Sequence, residues 1–406
     1  MMAPGRNGAA GPILLWPRMS EPARWSAKTR AILAGRDQGS FGRTVNPPIQ
    51  RGSSVLFESS SAFSHRPALH YGIQGLATQE ALRAALCALT GAETAVLAPS
   101  GLSACTLALL SVAEAGHTLL VSDGCYGPTR SFCDGLARRL GVETRYYAPR
   151  IGAGIADLLD ASVCGVMMES PSSLTFELQD VGAIATAAQR CGVPTMIDDT
   201  WSAGVLFRPF EHGVDLSIQA LTKHQGGHAD LLLGAVLART PALAARVEAA
   251  CAQLGLCVAP EDAFLTLRGM RTMGLRLQAQ GAAGLELAHW LERRPEVLQV
   301  LHPGLASHPD HALWRRDFSG ACGVFAIVLK PQFAGGLAAM LDGYELFGLG
   351  YSWGGFESLA SFAPPPLRAV PSPLDGPLVR FSIGLEDPSD LRTDLERGFE
   401  RLREHA

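Results

Sequence analysis

Apolar residues in this chain fall into short runs separated by stretches of helical length. Leu82, Leu86 and Leu89 share one face of a helix predicted over Gln79–Leu89. Strand-like runs then alternate with helical ones: Thr94–Ala98, a helix from about Leu102, Thr118–Ser122, a helix near Arg130–Leu140, Val163–Met168, a helix over Val181–Cys191, and Pro194–Asp198. Short, nearly continuous apolar runs joined by helices predict parallel strands covered on both faces, an α/β sheet. Ligands of such sheets bind beyond the carboxyl ends of the strands. The polar residues expected there are Asp123, Glu169, Asp198 and Lys223.

A long helical stretch over Glu261–Arg294 bridges to a second, smaller unit with strands near Val324–Leu329 and Leu378–Ile383. Its last helix starts at Asp387-Pro388, a good cap and first-turn pair, and carries one apolar stripe of Leu391, Leu395, Phe399 and Leu402. Residues 19–75 lack long apolar periodicity and read as an arm. Residues 1–18 read as an over-called start or a disordered extension: Ile13 to Trp16 is too short for a signal peptide, Pro12 and Pro17 interrupt it, and Met19 opens a more ordinary beginning. The predicted organisation is therefore 1–18, an arm over 19–75, a large unit over 76–268 and a C-terminal unit over 269–406.

Composition narrows the class. The chain has 406 residues and a net charge of −4, and charged residues make up 18%, below the roughly 25% of an average soluble protein. That balance gives no electrostatic footprint for nucleic acid or an anionic membrane. No apolar run approaches the roughly 18 residues that span a bilayer. Nine scattered cysteines include no Cys-x-x-Cys pair, which points to free thiols and a reducing, cytoplasmic compartment.

Lysine is the informative residue. Of 34 Lys and Arg only Lys28, Lys223 and Lys330 are lysine. Arginine stays protonated in proteins, whereas a buried lysine can lose its proton and act as base or nucleophile. Lys223 lies in Ser217-Ile218-Gln219-Ala220-Leu221-Thr222-Lys223-His224-Gln225-Gly226-Gly227-His228-Ala229-Asp230, after an apolar run and before a glycine pair. Such a lysine sits at a turn with its amine in a cleft, where desolvation lowers its pKa and the neutral amine can form a Schiff base. Two plainer readings compete: a surface lysine in a loop, and a metal site from His224, His228 and Asp230. Gly226-Gly227 would break the helix that histidines four apart need, and no general-base Glu lies between them.

Several motifs together resemble the Cys/Met-metabolism family of pyridoxal-phosphate enzymes and, within it, the bacterial cystathionine β-lyase group. They are Ile197-Asp198-Asp199-Thr200-Trp201-Ser202-Ala203-Gly204, Thr222-Lys223, Gly227-His228-Ala229-Asp230, Tyr351-Ser352-Trp353-Gly354-Gly355-Phe356-Glu357-Ser358 and Arg380-Phe381-Ser382-Ile383-Gly384-Leu385-Glu386-Asp387. The likeness runs from about residue 30 to the C-terminus. It implies an aspartate aminotransferase-like, fold type I architecture with a mostly parallel sheet and a smaller α/β C-terminal domain. It also implies pyridoxal 5'-phosphate as cofactor and a homotetramer built from dimers.

The resemblance further implies residue roles. Lys223 would carry the cofactor and then remove the substrate's Cα proton, and Asp198 would pair with the protonated pyridine nitrogen. Gly101 and Leu102, after Ser100 and at a helix start, would hold the phosphate with Thr222, while Tyr71 would reach it from a neighbouring subunit. Tyr126 would stack on the ring and assist proton transfer at the incoming amine. Arg380 would clamp the substrate carboxylate beside Ser352 and Trp353. The activity implied is β-elimination from L-cystathionine to homocysteine, pyruvate and ammonia, in methionine synthesis.

Departures from the family pattern concern the substrate. Ile73 and Gln74 stand where arginines are common, Ser131 where an acidic residue is, and Asp199 where asparagine is more usual. Arg130, Arg43 or His70 could compensate. The alternatives left open are β-lysis of simpler S-substituted cysteines and a γ-elimination or γ-replacement. Trp353 argues against the γ-type reactions, whose enzymes usually have an aliphatic residue there.

Overall fold

The computed structural model describes residues 25–36, 44–65, 69–363, 368–370 and 374–406. The segment 1–18, the start at Met19 and Arg43 lie outside the described residues.

The large sheet is built from seven strands: β1 Thr94–Ala98, β2 Thr118–Ser122, β3 Glu143–Tyr147, β4 Val163–Glu169, β5 Thr195–Asp198, β6 Leu216–Gln219 and β7 Gly234–Ala238, in the order β1-β7-β6-β5-β4-β2-β3. From β6 through β3 every neighbouring pair is parallel, and β7 runs antiparallel to both β1 and β6. β2, β6 and β7 are buried along their whole length, as expected of strands covered by helices on both faces. One of those helices, Gly101–Val112, is apolar almost all round and buries seven of its twelve residues. The mostly parallel α/β architecture expected of fold type I is thus present.

The helix predicted near Arg130–Leu140 starts three residues earlier: Gly127–Phe132 is α-helical and continues directly into a π-turn over Cys133–Ala137. Asp134 in that turn accepts a hydrogen bond from the Tyr146 hydroxyl of β3 at 2.7 Å. The turn therefore ties this element to the sheet edge.

A single helix, Pro260–Leu291, runs 32 residues from the large sheet to a second one. That sheet comprises β8 Val297–Leu301, β9 Val324–Leu329, β10 Gly348–Leu349, β11 Leu359–Ala363 and β12 Leu378–Ser382, in the order β10-β11-β12-β9-β8. Only β10 and β11 pair in parallel. The last helix, Pro388–Glu404, begins with Asp387 accepting from the Ser389 N–H at 2.8 Å. Its stripe of Leu391, Leu395, Phe399 and Leu402 is at most 1% exposed. Each such side chain contributes roughly 1.5–3 kcal/mol by leaving water.

From the arm, the helix Ala27–Leu33 is held by Arg271, whose Nη1 donates to the carbonyls of Ala31 and Ile32 at 2.7 Å each and of Ala34 at 2.9 Å. Among the described residues no helix is long and apolar enough to cross a membrane.

Candidate active site

Three polar residues meet at the carboxyl end of the large sheet. Glu169 closes β4 and Asp198 closes β5, and the two are register partners. Lys223 follows β6 by four residues, on a turn closed by the Gly227 N–H donating to its carbonyl at 2.7 Å. The second sheet faces them with Arg380 of β12 and with Ser352. The Lys223 Nζ donates to Ser352 Oγ at 2.5 Å and lies 5.3 Å from the centre of the Trp353 ring. Arg380 Nη2 donates to the Ser352 carbonyl at 3.1 Å.

The electrostatics of this cluster follow from burial. Desolvation and the Arg380 charge push the Lys223 ammonium down to about 8, and Asp198 opposes them. Burial pushes Asp198 upward, against hydrogen bonds from the Thr200 hydroxyl (2.5 Å), the Thr200 N–H (3.1 Å) and the Cys105 thiol (3.5 Å), and against the Lys223 charge. Glu169 is pushed well above the carboxylate range by burial and by Asp198, although it accepts the Tyr126 N–H at 2.6 Å. Burial likewise raises the Tyr126 phenol, helped by Cys105, Glu169 and Asp198. Arg380 is lowered by burial and partly restored by Tyr126. Lys223, Asp198, Tyr126, Arg380, Ser352 and Trp353 thus form one electrostatic neighbourhood. Glu169, expected at the carboxyl end of the sheet though without a role there, and Cys105, which was not expected, belong to it as well. The only sequence signal for Glu169 was its place at the end of an apolar run; Cys105 had none.

The phosphate-binding expectation has a structural basis at Ser100–Leu102. Ser100 caps the helix Gly101–Val112 by accepting the Ser103 N–H at 3.1 Å. The first-turn N–H groups of a helix have no carbonyl of their own helix to bond. A Cβ at Gly101 would stand 2.5 Å from the Ala220 Cβ, so only glycine lets this helix start abut the segment leading to Lys223. A helix N-terminus, an amine of lowered pKa and a buried carboxylate on adjacent strand ends fit a phosphorylated aromatic aldehyde with a basic ring nitrogen.

Other expected residues are engaged locally. Thr222 Oγ1 accepts the Leu233 N–H at 3.0 Å and lies 3.2 Å from the Leu233 carbonyl. Tyr71 is half exposed and bridges to Ser54. Its N–H and that of His70 both donate to Gln74 Oε1, at 3.2 and 2.9 Å. Gln74 therefore shapes the turn that presents Tyr71. Arg130 is committed to the buried Asp123 carboxylate and covers the Tyr146 ring at 3.7 Å. Ser131 donates to the Gly127 carbonyl at 3.1 Å.

Asp199 is fully buried, accepts from the Ser202 hydroxyl and is held well above the carboxylate range by burial.

Known proteins resemble this chain in sequence and in architecture. The family model described as Cys/Met metabolism PLP-dependent enzyme matches residues 28–400. The chain is 48% identical over 377 residues to a putative cystathionine beta-lyase of Rhizobium johnstonii, covering 91% of this chain and 95% of that one. It is 39% identical over 389 residues to the cystathionine beta-lyase of Escherichia coli, covering 92% and 98%. A crystal structure of cystathionine gamma synthase from Xanthomonas oryzae, in complex with aminoacrylate and cysteine, superposes with a TM-score of 0.87 at 32% identity, covering 94% of this chain and all of that one. The chain belongs to the Cys/Met metabolism family of pyridoxal-phosphate-dependent enzymes.

Proposed function

We propose that this enzyme is a carbon–sulfur β-lyase that cleaves L-cystathionine to homocysteine, pyruvate and ammonia. The observation that carries the reading is the Lys223 amine, lowered to about 8, set between Asp198 on one sheet and Ser352, Trp353 and Arg380 on the other. Lyase relatives at 37–48% identity support the same chemistry.

Pyridoxal phosphate, when bound, supplies an electron sink that stabilises negative charge at the substrate's Cα. Lys223, Asp198, Tyr126 and Thr222 would hold it, with the N–H groups of Gly101 and Leu102 at the phosphate and Tyr71 reaching it from a neighbouring copy. Asp198 would favour positive charge on the ring nitrogen, and Tyr126 would contribute to holding the ring. Arg380 binds the α-carboxylate as a planar two-pronged donor. Lys223, its amine neutral in a sizeable fraction near neutral pH, takes the Cα proton. The Cβ–S bond then breaks, the electron pair leaves on sulfur as the homocysteine thiolate, and water completes the conversion of the three-carbon remainder to pyruvate and ammonia.

A second reading is favoured by one set of contacts. Arg130 is paired with Asp123, Gln74 Oε1 accepts from His70 and Tyr71, and Ser131 donates to the Gly127 carbonyl, so each already has a partner of its own. That favours simpler S-substituted cysteines as additional or better substrates. Product analysis with L-cystathionine tests both. Pyruvate plus homocysteine supports the first reading; 2-oxobutyrate plus cysteine would mean γ-lysis. Turnover of S-alkyl cysteines alone would support the second reading.

We place the reaction in methionine metabolism. The working assembly we propose is a cytoplasmic homotetramer of two dimers, with a large unit over 76–268 and a C-terminal unit over 269–406. Leu56 and Phe63 of the arm, 93% and 66% exposed in the single chain, are consistent with an arm that packs on another copy.

A further inference from the structure

His224 follows Lys223 directly, yet its side chain is fully buried and turned away from solvent. Neither ring nitrogen makes a hydrogen bond of normal geometry among the described residues. Leaving a polar group unpaired in the interior weakens a fold, so the ring's place is read from what it touches. Burial, with the Arg276 and Lys223 charges, lowers its pKa to about 3 against a small pull from the Trp201 backbone. The ring is neutral at any working pH.

What it touches is the turn that faces the amine. The Trp353 ring lies 5.3 Å from the imidazole, tilted by 57°. A Cβ at Gly354 would stand 3.2 Å from His224 Nδ1 and 3.3 Å from its backbone nitrogen. Gly354 has φ +80° and Ser352, a non-glycine residue, has φ +75°. A left-handed serine persists only where its surroundings over-determine it. The surroundings here are Arg380 on the Ser352 carbonyl, Ser382 Oγ accepting the Gly354 N–H at 3.2 Å, Gln280 Nε2 donating to the Gly355 carbonyl at 2.6 Å, and the His224 ring beneath. The result is Ser352 Oγ placed 2.5 Å from Lys223 Nζ.

We infer that His224 is a positioning residue for Lys223: its ring is the floor on which the Ser352–Trp353–Gly354 turn rests, and through that turn it holds the serine hydroxyl and the indole against the amine. This rests on Lys223 being the proton-accepting amine. The ring's plane and bulk do the positioning, and its nitrogens do not.

The test uses the holoenzyme with L-cystathionine, or with an S-alkyl cysteine if that is the better substrate. His224→Ala and the larger His224→Leu should each lower kcat about 10-fold or more, as expected for a displaced reacting group. KM should stay within about 3-fold and the visible absorbance of the bound cofactor should persist. His224→Phe, which keeps a flat ring, should return kcat to within about 3-fold of the parent. The Leu variant carries the test if the Ala variant does not fold. An unchanged kcat in Ala and Leu would overturn the proposal. So would a Phe variant as slow as Leu, which would put the role in the nitrogens, or loss of the cofactor band, which would make His224 a determinant of cofactor retention. Lys223→Ala, assayed in parallel, separates the two failures: full activity in that variant would sink the reading of Lys223 itself.

Discussion

In the seven-stranded sheet β4 and β5 end on Glu169 and Asp198, side by side and both pushed upward by burial. In the five-stranded sheet β9 is apolar and buried from end to end, and β12 carries one charge, Arg380. Adjacent buried carboxylates weaken a fold, so their presence at strand ends that open toward a lysine marks chemistry. The second sheet shows the complementary economy. Its apolar strands and the stripe of the last helix make a rigid mount, from which it projects one guanidinium and one strained turn toward the first. On the proposed reading, one sheet would tune protons and the other would hold the substrate and the geometry.

That division can be broken from either side. Asp198→Asn removes the negative charge of the large-sheet half and should give the largest loss, about 100-fold or more in kcat, because the electron sink weakens. Steady-state kinetics at saturating substrate checks it; a kcat near the parent value would mean that Asp198 is structural only. Arg380→Lys keeps the charge of the other half but not its two-pronged shape. KM should rise about 10-fold or more while kcat falls less. A fall confined to kcat would assign Arg380 to the chemistry.

The smallest effect concerns stability, away from the site. His302 and His308 are buried and lowered to about 3 and about 4, chiefly by desolvation. An unfolded histidine takes up its proton near 6.5, so the unfolded chain binds more protons once pH drops below that. The stability these residues confer is fully present above about 6.5 and lost as pH falls toward 3–4. Denaturant midpoints measured from pH 7 to 4 should decline, and His302→Phe should flatten the decline. An equally steep decline in the variant would contradict this.

Much of the large sheet was legible because its strands are covered on both faces. The runs Thr94–Ala98 and Thr118–Ser122 in that sheet, and Val324–Leu329 in the second, are strands over the very residues their apolar character marks. β3 was missed because it is an edge strand: Glu143, Thr144 and Arg145 break any apolar run, and two of its five positions are exposed. β7 was missed because Leu231–Ala238 is one apolar stretch, which periodicity alone cannot divide into turn and strand. At the site, Asp198 and Lys223 announced themselves as polar residues closing apolar runs. His224 did not, because its role depends on a turn from the other sheet that sequence spacing cannot bring to it. The local engagement of Gln74, Arg130 and Ser131 was also invisible, since hydrogen-bond partners are set by side-chain direction.

The claim on which the rest depends is that one amine among three lysines carries the cofactor. Reducing the holoenzyme with borohydride fixes the cofactor to whichever amine holds it, and peptide mass spectrometry then locates the added mass. The mass is expected on the peptide containing Lys223 and on neither of those containing Lys28 and Lys330. Label on either of the other two, or none on a protein that retains its visible absorbance and activity, would contradict the account.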